Sequence, residues 1–332
     1  MLTNLLSKFS VFALLALSLA PFAAVANPFS QANYYGEKVE FPSIEPGGKT
    51  RPVWGYLSVP KSSAKPLPAM VLVHGSGGLS GRESRYVEAY NQLGIATLVV
   101  APFEVRGVKK TAEDQSLVTG AEMNSDAIGA LALLASDKRI DPQRIGIQGG
   151  SKGGNAALSL AFDGSFRNRK LPDSLRFALH IPIYPGCSTQ QRNPKTTGKP
   201  ILLLTGELDD YINPTKCRDY AASIKRGGGD IEFIAYPDAH HGFDGAGSSK
   251  IQWLPKVQNA RDCITFMEDD GSVVELSTGT KWRTFAAFQS EYLDRDKRPC
   301  MKYGAHVGSN PAAKKQALVD ITAFLHKRGF VQ

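Results

Sequence analysis

The stretch Gly149-Gly150-Ser151-Lys152-Gly153-Gly154 limits what this chain can fold into more than any other. Arg144-Ile145-Gly146-Ile147-Gln148 before it reads as a buried strand, and Asn155 to Phe162 after it reads as a helix packed on that strand. A strand that turns into a helix at one serine, with glycine two positions to either side, is the context of a nucleophile elbow. The turn is so sharp that the serine backbone is strained and its neighbours two residues away must lack side chains; Gly149 and Gly153 meet that demand. The Ser151 hydroxyl is thereby raised out of the fold at a helix N-terminus, where backbone N–H groups and the helix dipole favour developing negative charge. The stretch is not a phosphate-binding loop, because there lysine precedes the hydroxyl residue and here serine precedes lysine.

The rest of the chain supplies a sheet for this elbow. Val53 to Pro60 alternates like an edge strand, and Pro60 stops it. Ala69-Met70-Val71-Leu72-Val73 and Ile95 to Val100 are continuous apolar runs, as in strands covered on both faces. Further strands are expected over Phe177–Tyr184, Ile201–Thr205 and Ile231–Ala235. Between them lie helical segments: Arg82–Leu93 closed by Gly94, Ala121–Ser136 with Ile128, Leu131, Leu134 and Ala135 on one face, and Pro214–Lys225. A last helix over Ala312–Arg328 has Asn310 as its cap, Pro311 at its first position and Gly329 as its stop. Residues 27–50 read as polar and turn-rich. This alternation predicts an α/β fold: a mostly parallel, doubly wound sheet with helices on both faces. Residues 244–308 break the rhythm. There Asp269-Asp270-Gly271 between Ile264–Phe266 and Val273–Leu276 predicts a small β-hairpin insertion. It begins just after a histidine pair and is placed to wall a site.

An activated serine needs a base, and the base needs an orienting carboxylate. In a doubly wound sheet both come from loops at the C-terminal strand ends. The strand ending at Thr205 leads into Gly206-Glu207-Leu208-Asp209-Asp210, and the strand ending at Ala235 leads into Tyr236-Pro237-Asp238-Ala239-His240-His241. Each loop offers two adjacent candidates for one role, Asp209 or Asp210 and His240 or His241, and adjacent residues point in different directions. The chain order is serine, acid, histidine. The oxyanion hole is expected from the backbone N–H of Lys152 and that of Ser76, in the His74-Gly75-Ser76-Gly77-Gly78 loop. His74 is expected to shape that loop and His326 to lie on the surface.

Residues 1–26 look like an export signal. Val11 to Ala20 is an apolar run with Lys8 before it, and Ala24-Val25-Ala26 is a small-x-small cleavage signal. The run is shorter than the roughly 20 residues a membrane anchor needs, and Pro21 interrupts it. Cleavage after Ala26 predicts a periplasmic or secreted protein, residues 27–332 of which form one domain, without stable membrane insertion. In that compartment the four cysteines are expected as two disulfides, Cys187–Cys217 and Cys263–Cys300. The formal net charge of +8 is mild for 332 residues, and no basic stretch is interleaved with aromatics, which argues against nucleic acid. Lys152 and Arg106 hint at an acidic group on a substrate. No Cys-x-x-Cys or His-x-x-x-His spacing points to a metal, and neither a metal nor another cofactor is expected.

Taken together, His74-Gly75-Ser76-Gly77-Gly78, Gly149-x-Ser151-x-Gly153, Gly206-x-x-Asp209-Asp210 with Pro214, and Tyr236-Pro237 leading to His241-Gly242-Phe243 resemble the dienelactone hydrolase family of the α/β-hydrolases. The resemblance covers roughly residues 50–245 and 309–330. It implies an α/β-hydrolase fold, His241 as the base and, from the related prolyl oligopeptidase-like enzymes, Asp209 as the acid. Two departures matter. The namesake enzymes use cysteine where Ser151 stands, and a glutamate where Gly75 stands. The serine form implies a general hydrolase of carboxylic esters or lactones acting on small molecules. A peptidase or amidase of the oligopeptidase type, and a binding protein that has lost catalysis, are the alternatives.

Overall fold

The computed structural model describes residues 36–331, apart from 46–47, 62–65, 167–171, 173 and 248 and the stretch 292–296. The expected export signal lies outside the described residues. Among the described residues, no helix is long and apolar enough to cross a membrane.

The body is one eight-stranded sheet. In chain order its strands are β1 (Glu37–Ile44), β2 (Thr50–Ser58), β3 (Leu67–Val73), β4 (Ala96–Val100), β5 (Ile140–Gly150), β6 (His180–Ile183), β8 (Ile201–Gly206) and β9 (Ile231–Tyr236), with β7 (Thr189–Gln191) in a separate sheet. The spatial order is β1-β2-β4-β3-β5-β6-β8-β9. β1 and β2 run antiparallel at one end, and from β4 to β9 every pairing is parallel. Helices α1 (Gly81–Gln92), α2 (Gly120–Ser136), α3 (Lys152–Ser159), α4 (Pro214–Arg226) and, at the C-terminus, α6 (Pro311–Lys327) cover the sheet. α5 (Phe285–Ser290) lies in the insertion.

The uniform apolarity of β3 has a direct cause. Every residue of β3 is buried, and alternate side chains enter opposite cores. Met70 and Leu72 pack with Tyr86, Val87 and Tyr90 of α1, while Ala69, Val71 and Val73 pack with Ile128, Leu131 and Leu134 of α2. A strand with period-two side chains and helices on both faces has no polar face to show. The helix ends follow local chemistry. Ser80 and Thr119 form capping boxes with Glu83 and Glu122, and Asn213 and Asn310 cap α4 and α6, each of which carries proline in its first turn.

Two elements differ from the sequence reading. β2 is not the edge, because β1 pairs with it from Glu37↔Leu57 to Ile44↔Thr50. β1 sets Phe41 and the partly buried Val39 against the core, with Glu37, Lys38, Glu40 and Pro42 exposed, so its sequence looks like loop. The strand expected over Phe177–Tyr184 is only His180–Ile183.

Residues 252–307 form a second layer of small elements. β10 (Gln252–Asn259) pairs antiparallel with β14 (Lys302–Val307). β11 (Thr265–Met267) and β12 (Val273–Glu275) form a hairpin that β13 (Lys281–Trp282) extends on one side. On the other side β11 pairs in parallel with β7, so the small sheet is anchored to the segment that follows β6. Its own apolar core is little more than Val273, Trp282 and Phe288. The Cys263–Cys300 disulfide, closing 37 residues, compensates with about 3–4 kcal/mol of unfolded-state entropy.

Candidate active site

β5 runs straight into α3, and Ser151 is the joint. Its backbone sits at φ 55° and ψ −118°, a strained conformation for a residue with a side chain. The flanking glycines are obligatory. A Cβ on Gly149 would come within 2.4 Å of the Gly153 carbonyl, and one on Gly153 would come within 2.0 Å of Val73 O. The Ser151 N–H donates to Ile183 O at 2.9 Å, which fastens the elbow to β6.

Three loops bring side chains to this point. The loop after β8 carries Asp209, whose Oδ1 accepts from the N–H groups of Tyr211 and Ile212, both at 2.9 Å. Those two bonds fix the carboxylate and leave Oδ2 free to face the loop after β9. There His241 Nδ1 lies 2.8 Å from Asp209 Oδ2, and His241 Nε2 lies 2.9 Å from Ser151 Oγ. With Asp209 ionised and acceptor-only, Nδ1 carries the proton and donates to it, and Nε2 is left to accept from the serine hydroxyl. Asp209 is 2% exposed and His241 5%, so the bond between them is shielded from water, while Ser151 is half-buried.

The imidazole is clamped as well as bonded. Tyr184 and Tyr211 flank it with ring centroids 4.7 and 4.6 Å away. Tyr184 takes a left-handed backbone, φ 37°, and its hydroxyl accepts from Arg82 Nη1 at 2.8 Å and donates to Asp244. Tyr86 also donates to Asp244, at 2.8 Å. Arg82 pairs with Glu83, whose carboxyl is held below its usual range: burial raises its pKa, and this is outweighed by the Arg82 charge and the hydrogen bonds that lower it. The backbone of His241 is tied to the insertion, since Gly308 N–H donates to His241 O at 3.0 Å.

The other two candidates from the adjacent pairs are turned elsewhere. Asp210 accepts from His306 N at 2.8 Å and lies 2.7 Å from His306 Nδ1. His240 lies toward the same histidine, with ring centroids 6.0 Å apart.

The loop after β3 closes the other side of the serine. A Cβ on Gly75 would stand 3.3 Å from Ser151 Cβ, so this loop lies directly against the elbow. Ser76 and Lys152 line the same cavity as Ser151 and His241. The Ser76 hydroxyl accepts from Gln115 Nε2 at 3.0 Å, and its carbonyl accepts from Thr111 N at 2.8 Å. His74 is wholly buried, its Nδ1 2.9 Å from Gly75 O and its ring edge-on to Phe103; burial pulls its pKa down to about 4. It is a neutral support of the loop, not a group facing the serine.

The Lys152 side chain departs from expectation. It is buried and folds back, donating from Nζ to Gln115 O at 2.9 Å, Gln115 Oε1 at 3.0 Å and Thr111 Oγ1 at 3.3 Å. Burial lowers its pKa to about 8. Arg106 is likewise engaged, with Asp126 at 2.7 Å and Glu122 at 3.1 Å. Neither cation is available to a substrate anion, which corrects the hint drawn from the sequence. What Lys152 holds is the 111–115 segment, which in turn holds Ser76. Gln115 N–H also donates to Gln258 Oε1 at 2.9 Å, and Gln258 N–H donates to Ala112 O at 3.0 Å. The insertion therefore reaches the Ser76 loop through two glutamines. Sequence reasoning missed both, because neither belongs to a local motif.

A cavity of about 910 Å³ opens from Ser151. Its walls come from the body, from the segment around Cys187, and from the insertion, including Gln258, Met267, Phe285 and Gln289. The cysteines pair as Cys187–Cys217 and Cys263–Cys300, and the first disulfide borders this cavity.

Comparison with known proteins agrees with this architecture. The native esterase Est2 of the planctomycete Thermogutta terrifontis is similar in structure, with a TM-score of 0.51 at 17% identity over 65% of this chain and 86% of that one. The apo form of the same esterase gives 0.51 at 17% identity over 64% and 87%. At such identity the likeness establishes the fold. No curated protein matches the chain. The family model described as the dienelactone hydrolase family matches residues 53–267, a span running from β2 through the elbow and the acid and histidine loops to β11. The chain thus belongs to the dienelactone hydrolase family and is an α/β-hydrolase-fold carboxylic-ester hydrolase.

Proposed function

We propose that Ser151, His241 and Asp209 are the catalytic triad of a serine hydrolase that cleaves carboxylic esters or lactones through an acyl-enzyme. The observation that carries this reading is the continuous line from the buried Asp209 Oδ2 through both ring nitrogens of His241 to Ser151 Oγ at the cavity, at 2.8 and 2.9 Å. In the first step Ser151 Oγ attacks the ester carbonyl as His241 Nε2 takes its proton. The ionised Asp209 keeps the proton on Nδ1 and stabilises the imidazolium that forms. The carbonyl oxygen becomes an oxyanion held by the backbone N–H groups of Lys152 and Ser76. Preorganised donors of this kind contribute about 2.7–4 kcal/mol each to lowering the barrier. His241 then gives its proton to the leaving alkoxide, or to the ring oxygen of an opened lactone. Water, deprotonated by the same nitrogen, releases the acid and restores the serine.

The mature protein is read as exported, with cleavage after Ala26. Two disulfides in one chain support an oxidising compartment. Intact-mass measurement of protein from the native envelope checks this: the first residue is expected to be Asn27, and a retained residue 1–26 segment overturns it.

The decisive test is Ser151→Ala. Loss of p-nitrophenyl acetate turnover by at least about 10³-fold, together with loss of fluorophosphonate labelling, is the expected result. Undiminished turnover would remove Ser151 from the mechanism.

A further inference from the structure

The cavity is large for a small acetyl ester, and its wall is mixed in chemistry. Residues with a neutral hydroxyl or amide outnumber the charged and aromatic residues of its wall together. A long acyl chain needs a continuous apolar wall to gain from leaving water; here the apolar side chains, Leu158, Phe162, Met267 and Phe288 among them, share the wall with those hydroxyls and amides. An anionic substrate needs an uncommitted cation. Lys152, next to the serine, spends its donors on Gln115 and Thr111. Toward the rim, Lys195 and Arg261 are outnumbered by Asp163, Glu268, Asp269 and Asp270.

The amides are also pre-oriented. Asn124 Oδ1 accepts from Ser159 Oγ at 3.0 Å, and Asn155 Oδ1 accepts from Gly186 N. Each leaves its Nδ2 donors without a protein partner among the described residues. Gln190 does the reverse, donating from Nε2 to Cys187 O at 2.9 Å and leaving Oε1 to accept. Across from α2, Gln289 of α5 stands with Nε2 3.5 Å from where a Cβ of Gly120 would be, beside the half-buried Phe285 ring. Fixed donors and fixed acceptors in one cleft, beside an aromatic face, match a group that is donor and acceptor at once and has a C–H face. A neutral polyol ring has both properties.

We propose that the part of the cavity between α2, the Cys187 segment and the insertion is a subsite for a neutral, hydroxyl-rich moiety, so that the substrate is an ester or lactone of a carbohydrate-like molecule. This rests on the hydrolase reading of Ser151. The test compares kcat/KM within pairs that differ mainly in their hydroxyls: an acetylated methyl xyloside against cyclohexyl acetate for the alcohol side, and gluconolactone against caprolactone for the acyl side. p-Nitrophenyl acetate serves as the reference for the chemistry itself. At least about a tenfold preference for the hydroxylated member in one pair is expected, and the pair that shows it assigns the side. Asn124→Leu and Gln289→Leu are each expected to reduce that preference at least about threefold more than they reduce p-nitrophenyl acetate turnover. Methyl xyloside, unlike cyclohexanol, is expected to inhibit p-nitrophenyl acetate turnover by the wild-type protein competitively, a readout that needs no variant to fold. Wild-type turnover of p-nitrophenyl acetate with no preference in either pair and no inhibition overturns the subsite while leaving the hydrolase intact. Absence of p-nitrophenyl acetate turnover overturns both.

Discussion

Two carboxylate–imidazole pairs stand side by side in this protein, built from neighbouring residues. Asp209 holds Nδ1 of His241 at 2.8 Å, and Asp210 holds Nδ1 of His306 at 2.7 Å. By bond length they are indistinguishable. They differ in what surrounds them. The side chains of Asp209 and His241 are 0% and 7% exposed, while those of Asp210 and His306 are 28% and 44% exposed. The far nitrogen of His241 meets Ser151, whereas the ring of His306 packs on the half-exposed Trp253. An acid–histidine contact is therefore a cheap feature of a surface. In the proposed triad the pair is dry, so that its electrostatics are strong, and a third group is aligned on the second ring nitrogen.

The largest effect that could break this contrast comes from the carboxylates themselves. Asp209→Asn, which keeps the shape and loses the charge, is expected to lower kcat by about 10⁴-fold, while Asp210→Asn changes it by less than about threefold. Steady-state kinetics on p-nitrophenyl acetate decides the matter, and equal losses would erase the distinction drawn from burial. A smaller loss is expected where the buried side is supported indirectly. Gln115→Leu removes the side-chain bonds to Lys152 and Ser76 while those of the Gln115 carbonyl and of Thr111 remain, and about a 10- to 100-fold drop in kcat with little change in KM is the expected signature of a displaced oxyanion donor.

The contrast between buried and exposed charge is sharpened by pH. The pKa of Lys152 is about 8 in the folded chain, against 10.5 as its ordinary value. Between those values the unfolded chain holds a proton that the folded chain has released, so folded stability rises with pH across that window. Relative to Lys152→Met, the wild type is expected to gain about 2–3 kcal/mol from pH 8 to 10.5, read by denaturant unfolding at fixed ionic strength. A difference that stays flat would mean that the amine is solvated. The smallest effect belongs to the exposed pair: His306→Gln is expected to cost about 0–1 kcal/mol of stability and to leave kcat within about twofold.

Much of this was legible in the residues. The elbow was, because strain forces glycine into two fixed positions around one serine. The parallel body was, because strands covered on both faces cannot hide their apolarity. The choice of Asp209 over Asp210 came from the family resemblance alone, since adjacency carries no sign of which side chain turns inward; the turn is set by the N–H groups of Tyr211 and Ile212 and by β14 arriving beside Asp210. β1 was hidden by its polar face. Arg106 looked like a free cation because its partners, Glu122 and Asp126, lie one and two turns along a different element. Gln115 and Gln258 bond across 143 positions, a distance over which no local pattern extends.

The hydrogen bond from Gly308 to His241 has an architectural consequence. The insertion leaves the body just after His241 and comes back beside it, Val307 bridging to the same histidine. Departure and return thus share one doorway. Closing a loop whose ends already touch costs entropy that grows only with the logarithm of its length. A module attached in this way can lengthen, shorten or be exchanged wholesale while the eight-stranded sheet keeps its register. Variation in such a module would remodel the cleft wall and leave the position of His241 unchanged.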